Sequence, residues 1–210
     1  AFLEPEVGLA WMDEQKVINI RTSTQCVEHF RDVAEAIGVP HSKVRFRGAL
    51  VGGGFGGKSD VLVELYLALL TMATKRPVRM CYSREESFFG HGKRHPFTIT
   101  HKTGFDKNGK ITAAKIDITS ESGPYAYMSP YVLMYATEAG PGPYRVDNVH
   151  VDSRSVATNN MYTTAFRGFG ATQACIAYEQ QMDEAAKVMG IDRLELRRRN
   201  FLQTGDAIAT

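Results

Sequence analysis

The chain has few of the residues that build metal clusters, disulfide scaffolds or membrane spans. Its three cysteines, Cys26, Cys81 and Cys175, lie far apart with no Cys-x-x-Cys pair. That excludes an encoded zinc ribbon or iron–sulfur cluster, and the sparse, odd count suits a reducing cytoplasm better than a disulfide framework. Net charge is only +2, without the concentrated basic stripe that tracks phosphates, so no nucleic-acid partner is expected. The most apolar run, Val61 to Met72, contains Glu64 and is too short to cross a bilayer, so no membrane partner is expected either. No secretory signal opens the chain, and the missing initiator Met suggests an excised domain or a processed subunit. No repeat, low-complexity tract or linker interrupts it.

The composition is that of an ordinary globular protein, 43% hydrophobic and 23% charged, and 210 residues can bury a sizeable core. Val17 to Arg21 reads as a strand, followed by Ser23-Thr24 as helix caps, and Val27, Phe30, Ala34 and Ile37 recur at helical spacing. Lys43 to Val51 reads as a strand running into a glycine cluster. Ser59 or Asp60 then caps a helix from about Val61 to Lys75, apolar on nearly all sides and expected to be buried. Val78 to Tyr82 returns as a strand. Phe97–Gly104 and Ile111–Thr119 flank Asp106-Lys107-Asn108-Gly109, a tight-hairpin signal. Residues 122–148, rich in Gly, Pro and Tyr, read as irregular, and 148–157 as a strand. A long helix with Ile176, Met182, Ala186 and Met189 on one face follows a second glycine cluster. Asp192 and Glu195 form a capping box for the last helix. Its run Arg193, Arg197, Arg198, Arg199 complements the helix dipole and faces solvent, or docks a neighbouring domain. The fold class is α+β with mixed sheets, taken as one domain over 1–210.

Gly52-Gly53-Gly54-Phe55-Gly56-Gly57-Lys58-Ser59 satisfies the P-loop pattern G-x-x-x-x-G-K-[ST] and also G-x-G-x-x-G. Both patterns have one physical cause: glycines permit positive φ and bring bare N–H groups close to an anion. A P-loop further requires four apolar residues ending in Asp, and Ala113-Ala114-Lys115-Ile116-Asp117 has Lys among them. A dinucleotide fold requires an acid about 20 residues on, and Glu85 arrives late. Both readings are weakened and both stay open, as does a glycine turn needed only for packing.

A second cluster, Thr164-Ala165-Phe166-Arg167-Gly168-Phe169-Gly170, precedes the long helix. Together with the glycine cluster, Gly92-Lys93-Arg94-His95-Pro96-Phe97, Phe2-Leu3-Glu4-Pro5 and Ser23-Thr24-Gln25, it resembles the molybdenum-cofactor-binding subunit of xanthine dehydrogenase/aldehyde oxidase enzymes, over essentially the whole chain. The resemblance implies a molybdenum–molybdopterin cofactor, in its plain or cytosine-dinucleotide form, and an oxidoreductase that hydroxylates an aromatic N-heterocycle, purine or aldehyde with oxygen from water. It implies that Gln25, Gly53, Gly54, Phe55, Gly56 and Arg167 line the cofactor, Gln25 as a neutral donor toward an oxygen ligand of the metal and Gly54, Phe55 and Arg167 through backbone groups. First-turn helix capping is the alternative role for Gln25. The resemblance assigns Phe55, Ser59, Tyr135 and Phe169 to the substrate, with Phe169 stacking on a planar ring. The resemblance assigns no residue of the chain as a direct ligand of the metal.

Xanthine-specific relatives carry Glu where this chain has Ser59 and Arg near the position of Tyr135, so the resemblance favours heterocycles or aldehydes over purines. A carbon monoxide dehydrogenase is disfavoured because no cysteine occupies 167–169. The family's general-base glutamate, in a Gly-Val-Gly-Glu-like context, is absent, so no catalytic residue is assigned and the isolated fragment is expected to be inactive. The remainder of the molybdenum subunit, and 2Fe-2S and FAD domains or subunits, are the implied partners. A non-catalytic scaffold relative, or a nucleotide-binding protein using Gly52–Ser59, are the alternatives. Under the nucleotide reading Lys58→Ala abolishes ATP or GTP binding in equilibrium dialysis; under the molybdenum reading there is no such binding to lose.

Overall fold

A computed structural model describes residues 2–208, and among these the backbone forms two compact units. The first comprises 2–93 with 165–167, and the second 94–164 with 168–208.

The first unit is built on a four-stranded sheet. β1 (Val7–Met12), β2 (Ile18–Thr22), β3 (Val44–Gly48) and β4 (Val78–Cys81) are ordered β3-β2-β1-β4. β1 pairs antiparallel with β2 and β4, and β2 parallel with β3. The parallel step requires a crossover, supplied by a 3-10 turn over Val27–His29 and α1 (Phe30–Ala36). α2 (Val63–Thr74) and α3 (Arg84–Gly90) complete the unit. Ile18, Ile20, Val33, Val44, Val63 and Leu67 pack as its core. α2 lies so close to β1 that a Cβ at Gly8 would meet Leu67 Cδ1 at 2.5 Å.

Several expectations change here. Ser23 and Thr24 do not cap α1. The Ser23 hydroxyl is engaged by Glu4 and Lys58, and Thr24 Oγ1 accepts from the Cys26 amide (3.1 Å). Ser59 and Asp60 do not cap α2, which starts at Val63, where Glu64 folds back to accept from the Leu62 amide (2.7 Å). The other oxygen of Glu64 accepts from Thr22 Oγ1 (2.9 Å), and burial raises its carboxyl pKa. α2 is not buried all round, because Tyr66, Leu69 and Leu70 are exposed. β1 and α3 left little periodic signal, although α3 carries a complete Ser83/Glu86 capping box.

The second unit is a three-stranded sheet, β5 (Phe97–Phe105), β6 (Ile111–Gly123) and β7 (Val149–Ala157), in the order β5-β6-β7. β5 and β6 form the expected hairpin, its turn held by Asp106 Oδ1, which accepts from the Asn108 and Lys110 amides. β7 is parallel to β6. α4 (Ser129–Glu138) and α5 (Ala171–Met189) pack on the sheet, and α6 (Arg193–Asn200) packs on α5. α4 lies within the stretch expected to be irregular. Pro130 is tolerated in its first turn, where no amide partner is needed, so the flanking Gly and Pro residues hid a helix.

The buried face of α5 is Ala174, Met182 and Ala186, while Ile176 is 64% exposed and does not belong to it. Asp192 caps α6 through the Leu194 and Glu195 amides, but Glu195 turns to Arg199 instead of closing a capping box. Arg197 is far from solvated: it binds Glu179 Oε2 (2.8 Å), Asp183 Oδ1 (2.9 Å) and the Glu179 carbonyl (3.1 Å), joining α6 to α5.

Asn200 ends α6 in a buried position, accepting from the Ile111 amide and donating to the Gly109 and Leu196 carbonyls, each at 2.8 Å. Asn200→Ala strands three buried backbone groups, so a loss of about 3 kcal/mol is expected in urea unfolding, well above that of an exposed control such as Arg193→Ala.

Candidate functional site

The sequence-predicted residues fall into two sets, one in each unit. In the first unit the glycine cluster is held by a buried cation. Lys58 has no exposed surface; its Nζ binds Glu4 Oε2 (2.6 Å) and Ser23 Oγ (2.8 Å) and lies 4.8 Å from the centre of the Phe2 ring. Glu4 Oε2 also accepts from Ser23 Oγ (2.5 Å) and the Gly52 amide (2.8 Å). Burial by itself would raise the Glu4 pKa, but the hydrogen bonds from Lys58, Ser23 and Gly52 prevail and hold the carboxyl down at about 2. Three separate sequence motifs therefore meet at one ion pair. A P-loop lysine must be free to reach phosphates, and this one is already engaged. The loop also runs four residues past Lys58 before α2 begins, so it is not a helix-start cradle.

Gln25 sits over the loop. Its Oε1 accepts from the Gly56 (2.9 Å) and Lys58 (3.3 Å) amides, and its own amide donates to the Lys58 carbonyl (2.8 Å). With the acceptor end occupied, Nε2 is left as an outward donor on an exposed residue, which rules out the helix-capping role. A Cβ at Gly54 would collide with the Gln25 side chain. The amides of Gly53, Gly54 and Phe55 donate no hydrogen bond among the described residues; Gly54 is buried, whereas the N–H groups of the more exposed Gly53 and Phe55, with the side-chain Nε2 of Gln25, are open to an acceptor-rich ligand.

Phe55 is half exposed and adopts φ 52°, a left-handed conformation that costs an L residue roughly 1–2 kcal/mol. Its carbonyl accepts from the Arg167 amide (2.9 Å). That amide is therefore the tie between two loops and is not open to a ligand. Gly56, at φ 95°, allows this approach, since a Cβ there would strike the Ala165 carbonyl. Ser59 is half buried, its amide donating to the Gly56 carbonyl (3.1 Å).

In the second unit Phe169 and Tyr135 are paired edge to face, ring centres 5.4 Å apart at 71°. Phe169 has φ 45° and the following Gly170 φ 101°, repeating the geometry of Phe55 (φ 52°) and Gly56 (φ 95°). Gly170 caps α5 and lies against the α4 backbone at Val132 and Ala136.

His95 stands out in the sequence only as part of the Gly92–Phe97 motif. It is buried, and its Nε2 lies 2.8 Å from Ser129 Oγ at the start of α4. Burial pushes its pKa down to about 4, against the opposing effect of a hydrogen bond to the Thr164 backbone, so the ring is neutral near pH 7. It thus links the segment before Phe169 to the helix that carries Tyr135. The signal that could have singled it out is a histidine next to a proline at a strand start, which is weak alone.

Residues 1–201 match the family model described as molybdopterin cofactor-binding domain. The chain is 43% identical over its full length to the nicotinate dehydrogenase large molybdopterin subunit of Eubacterium barkeri, covering 49% of that protein. It is 36% identical over 98% of its length to the xanthine dehydrogenase molybdenum-binding subunit of Escherichia coli O157:H7, covering 28% of it. Among solved structures, the aldehyde oxidoreductase of Desulfovibrio gigas superposes with a TM-score of 0.94 at 31% identity, over 99% of this chain and 23% of that one. The chain thus spans half or less of the length of these relatives.

Two acid-sensitive groups define separate pH windows. His95, with its folded pKa below the usual 6.5, withdraws stability as pH falls from 6.5 toward 4, because only the unfolded state takes up the proton. Glu4, folded pKa about 2 against 4.5, withdraws it from pH 4.5 toward 2. In thermal melts across pH, His95→Gln is expected to flatten the upper window and Glu4→Gln the lower one. Lys58→Met leaves Glu4 without its cation and is expected to cost about 3–5 kcal/mol in urea unfolding at pH 7.

Proposed function

The chain belongs to the molybdopterin cofactor-binding domain family, and from that premise we propose that it forms one wall of the molybdenum–pterin site of a hydroxylase acting on an aromatic N-heterocycle or an aldehyde. The observation that carries the reading is the donor array: the Gln25 Nε2, set by the Oε1 bonds from the Gly56 and Lys58 amides, and the unengaged amides of Gly53 and Phe55, in a loop whose Gly52, Gly54 and Phe55 carbonyls accept from the Glu4, Gly57 and Arg167 amides. Such an array fits an anionic, oxygen-rich cofactor, since neutral donors set in place before binding stabilise oxygen charge without reorganising.

When bound, the cofactor supplies the oxidation of a substrate carbon with oxygen from water. The residues of this chain bind and orient. Gln25 presents a donor whose direction is set by its Oε1 bonds, with no charge to titrate. Gly54 gives Gln25 its place, and Gly56 lets the loop at 165–167 close on the cluster. Phe55, Ser59, Tyr135 and Phe169 are proposed substrate contacts; the two phenylalanines share a left-handed backbone conformation next to a glycine of positive φ. Arg167 is proposed as a cofactor neighbour through groups other than its amide, which Phe55 occupies.

The relatives include proteins named as subunits, and the proposed partners are the remainder of the molybdenum subunit together with 2Fe-2S and FAD domains or subunits. No helix among the described residues is long and apolar enough to cross a membrane. Cytoplasmic residence is proposed from the free thiols of Cys26, Cys81 and Cys175. A heterocycle as substrate is supported by the aromatic Tyr135–Phe169 pair and by 43% identity to a protein named nicotinate dehydrogenase.

The test uses the holoenzyme containing this chain. Gln25→Ala and Gly54→Ala are expected to lower bound molybdenum, measured by plasma mass spectrometry per subunit, by tenfold or more, with melting temperature changed little for the exposed Gln25. Phe169→Ala is expected to keep the metal and raise KM for a planar heterocycle more than for a small aldehyde. Full molybdenum in both loop variants would defeat the proposal.

A further inference from the structure

The arginine run of α6 is resolved residue by residue. Arg193 pairs with Asp183 (3.7 Å), Arg197 with Glu179 and Asp183, and Arg199 with Glu195 (2.9 Å) and the Asn108 carbonyl (2.8 Å). Arg198 is the member of the run with no ion pair or hydrogen bond among the described residues. It lines a cavity of about 310 Å³ in the second unit together with Lys110, Arg145, Asp147, Asp206 and Phe201. Lys110 likewise has no carboxylate within ion-pair distance among the described residues. Both acids of the cavity lie 3.6 Å from Arg145 and Arg199 is held by Glu195, leaving the cavity's positive excess on Arg198 and Lys110.

The cavity walls are cross-linked before any ligand arrives. Asn200 ties the end of α6 to Gly109 and Ile111, the Arg145 amide donates to the Asn200 carbonyl (2.8 Å), and Phe201 stacks on Tyr144 at 5.6 Å. A helix C-terminus ordinarily repels anions through its open carbonyls. Here the carbonyls of Leu196, Arg197 and Asn200 are occupied by Asn200 Nδ2, the Phe201 amide and the Arg145 amide, so that repulsion is reduced. A prearranged, positively charged pocket lined by the half-exposed Phe201 suits a phosphate group more than a single carboxylate, because two separated cations match its several oxygens.

We propose that this cavity is a binding site for a small phosphate monoester, with Arg198 and Lys110 as the principal phosphate contacts. At about 310 Å³ the cavity has room beyond a phosphate ion, which points to an ester with a short organic stem. The site stands apart from the cofactor reading: neither depends on the other.

Isothermal titration calorimetry of the full chain at constant ionic strength tests it, using glycerol phosphate, inorganic phosphate and glycerol as probes. Expected are saturable binding of glycerol phosphate, several-fold weaker binding of inorganic phosphate and none of glycerol. Arg198→Ala and Lys110→Ala are each expected to weaken glycerol phosphate at least tenfold, with Arg198→Lys retaining most of the affinity. Both residues are exposed, and unchanged melting temperatures would show that the fold is kept. Equal affinity for inorganic phosphate and the ester would overturn the ester assignment. Wild-type affinity in both alanine variants, or no saturable binding of either phosphate, would overturn the site itself.

Discussion

Lys58 carries its ammonium into a fully buried position, and the surroundings of the glycine cluster are arranged to keep it there. An unpaired charge at such depth would be prohibitive, so Glu4 and Ser23 must converge on it with short hydrogen bonds, and Phe2 must cover it with the face of its ring. That convergence draws the N-terminal segment, the end of β2 and the loop 52–58 to one point. Glu4 then also captures the Gly52 amide, and the backbone from Gly52 to Lys58 is anchored at both ends. Gln25 follows two residues after Ser23 and is delivered onto the loop as a consequence.

Once the loop is anchored, its strain becomes tolerable. Phe55 occupies a left-handed conformation that would relax in a free peptide; it persists because Gly54, Gly56 and the hydrogen bond from Arg167 over-determine it. Phe169 shows the same combination, a left-handed phenylalanine followed by a glycine of positive φ, supported by the N-terminus of α5 and the backbone of α4. The two Gly-Phe-Gly triplets are thus a repeated local device that projects an aromatic ring from a rigid turn. Rigidity of this kind suits binding of a flat ligand, since little side-chain entropy remains to be lost.

The buried polar groups divide by purpose. Lys58, Glu64, His95 and Asn200 each join segments distant in sequence through hydrogen bonds. The α6 arginines show the contrast within one run: Arg197 is consumed in joining α5 to α6, while Arg198, its immediate neighbour, is left facing a cavity. Neighbouring positions on a helix point about 100° apart, so adjacent identical residues can serve unrelated ends.

Much of this was legible in the linear chain. Local signals marked the β5–β6 hairpin through Asn108-Gly109, the long helix α5, the Asp192 cap, and the two glycine-rich turns with their phenylalanines, because each depends on backbone preferences of a few adjacent residues. Gln25, Phe55 and Phe169 stood out through their motifs. What the linear chain could not reveal depends on residues far apart along it. Lys58 matches a phosphate-binding lysine until Glu4, 54 residues away, is seen to hold it. Ser23 matches a helix cap until the same ion pair claims its hydroxyl. α4 was hidden by its Gly- and Pro-rich flanks, and Ile176 was assigned to a buried face that only the packing of α5 could define. Composition and short-range pattern determined that this is an α+β chain with two glycine-rich turns. Which side chains are free to meet a ligand was decided by tertiary structure alone, because a polar group's availability depends on whether a distant partner has already satisfied it.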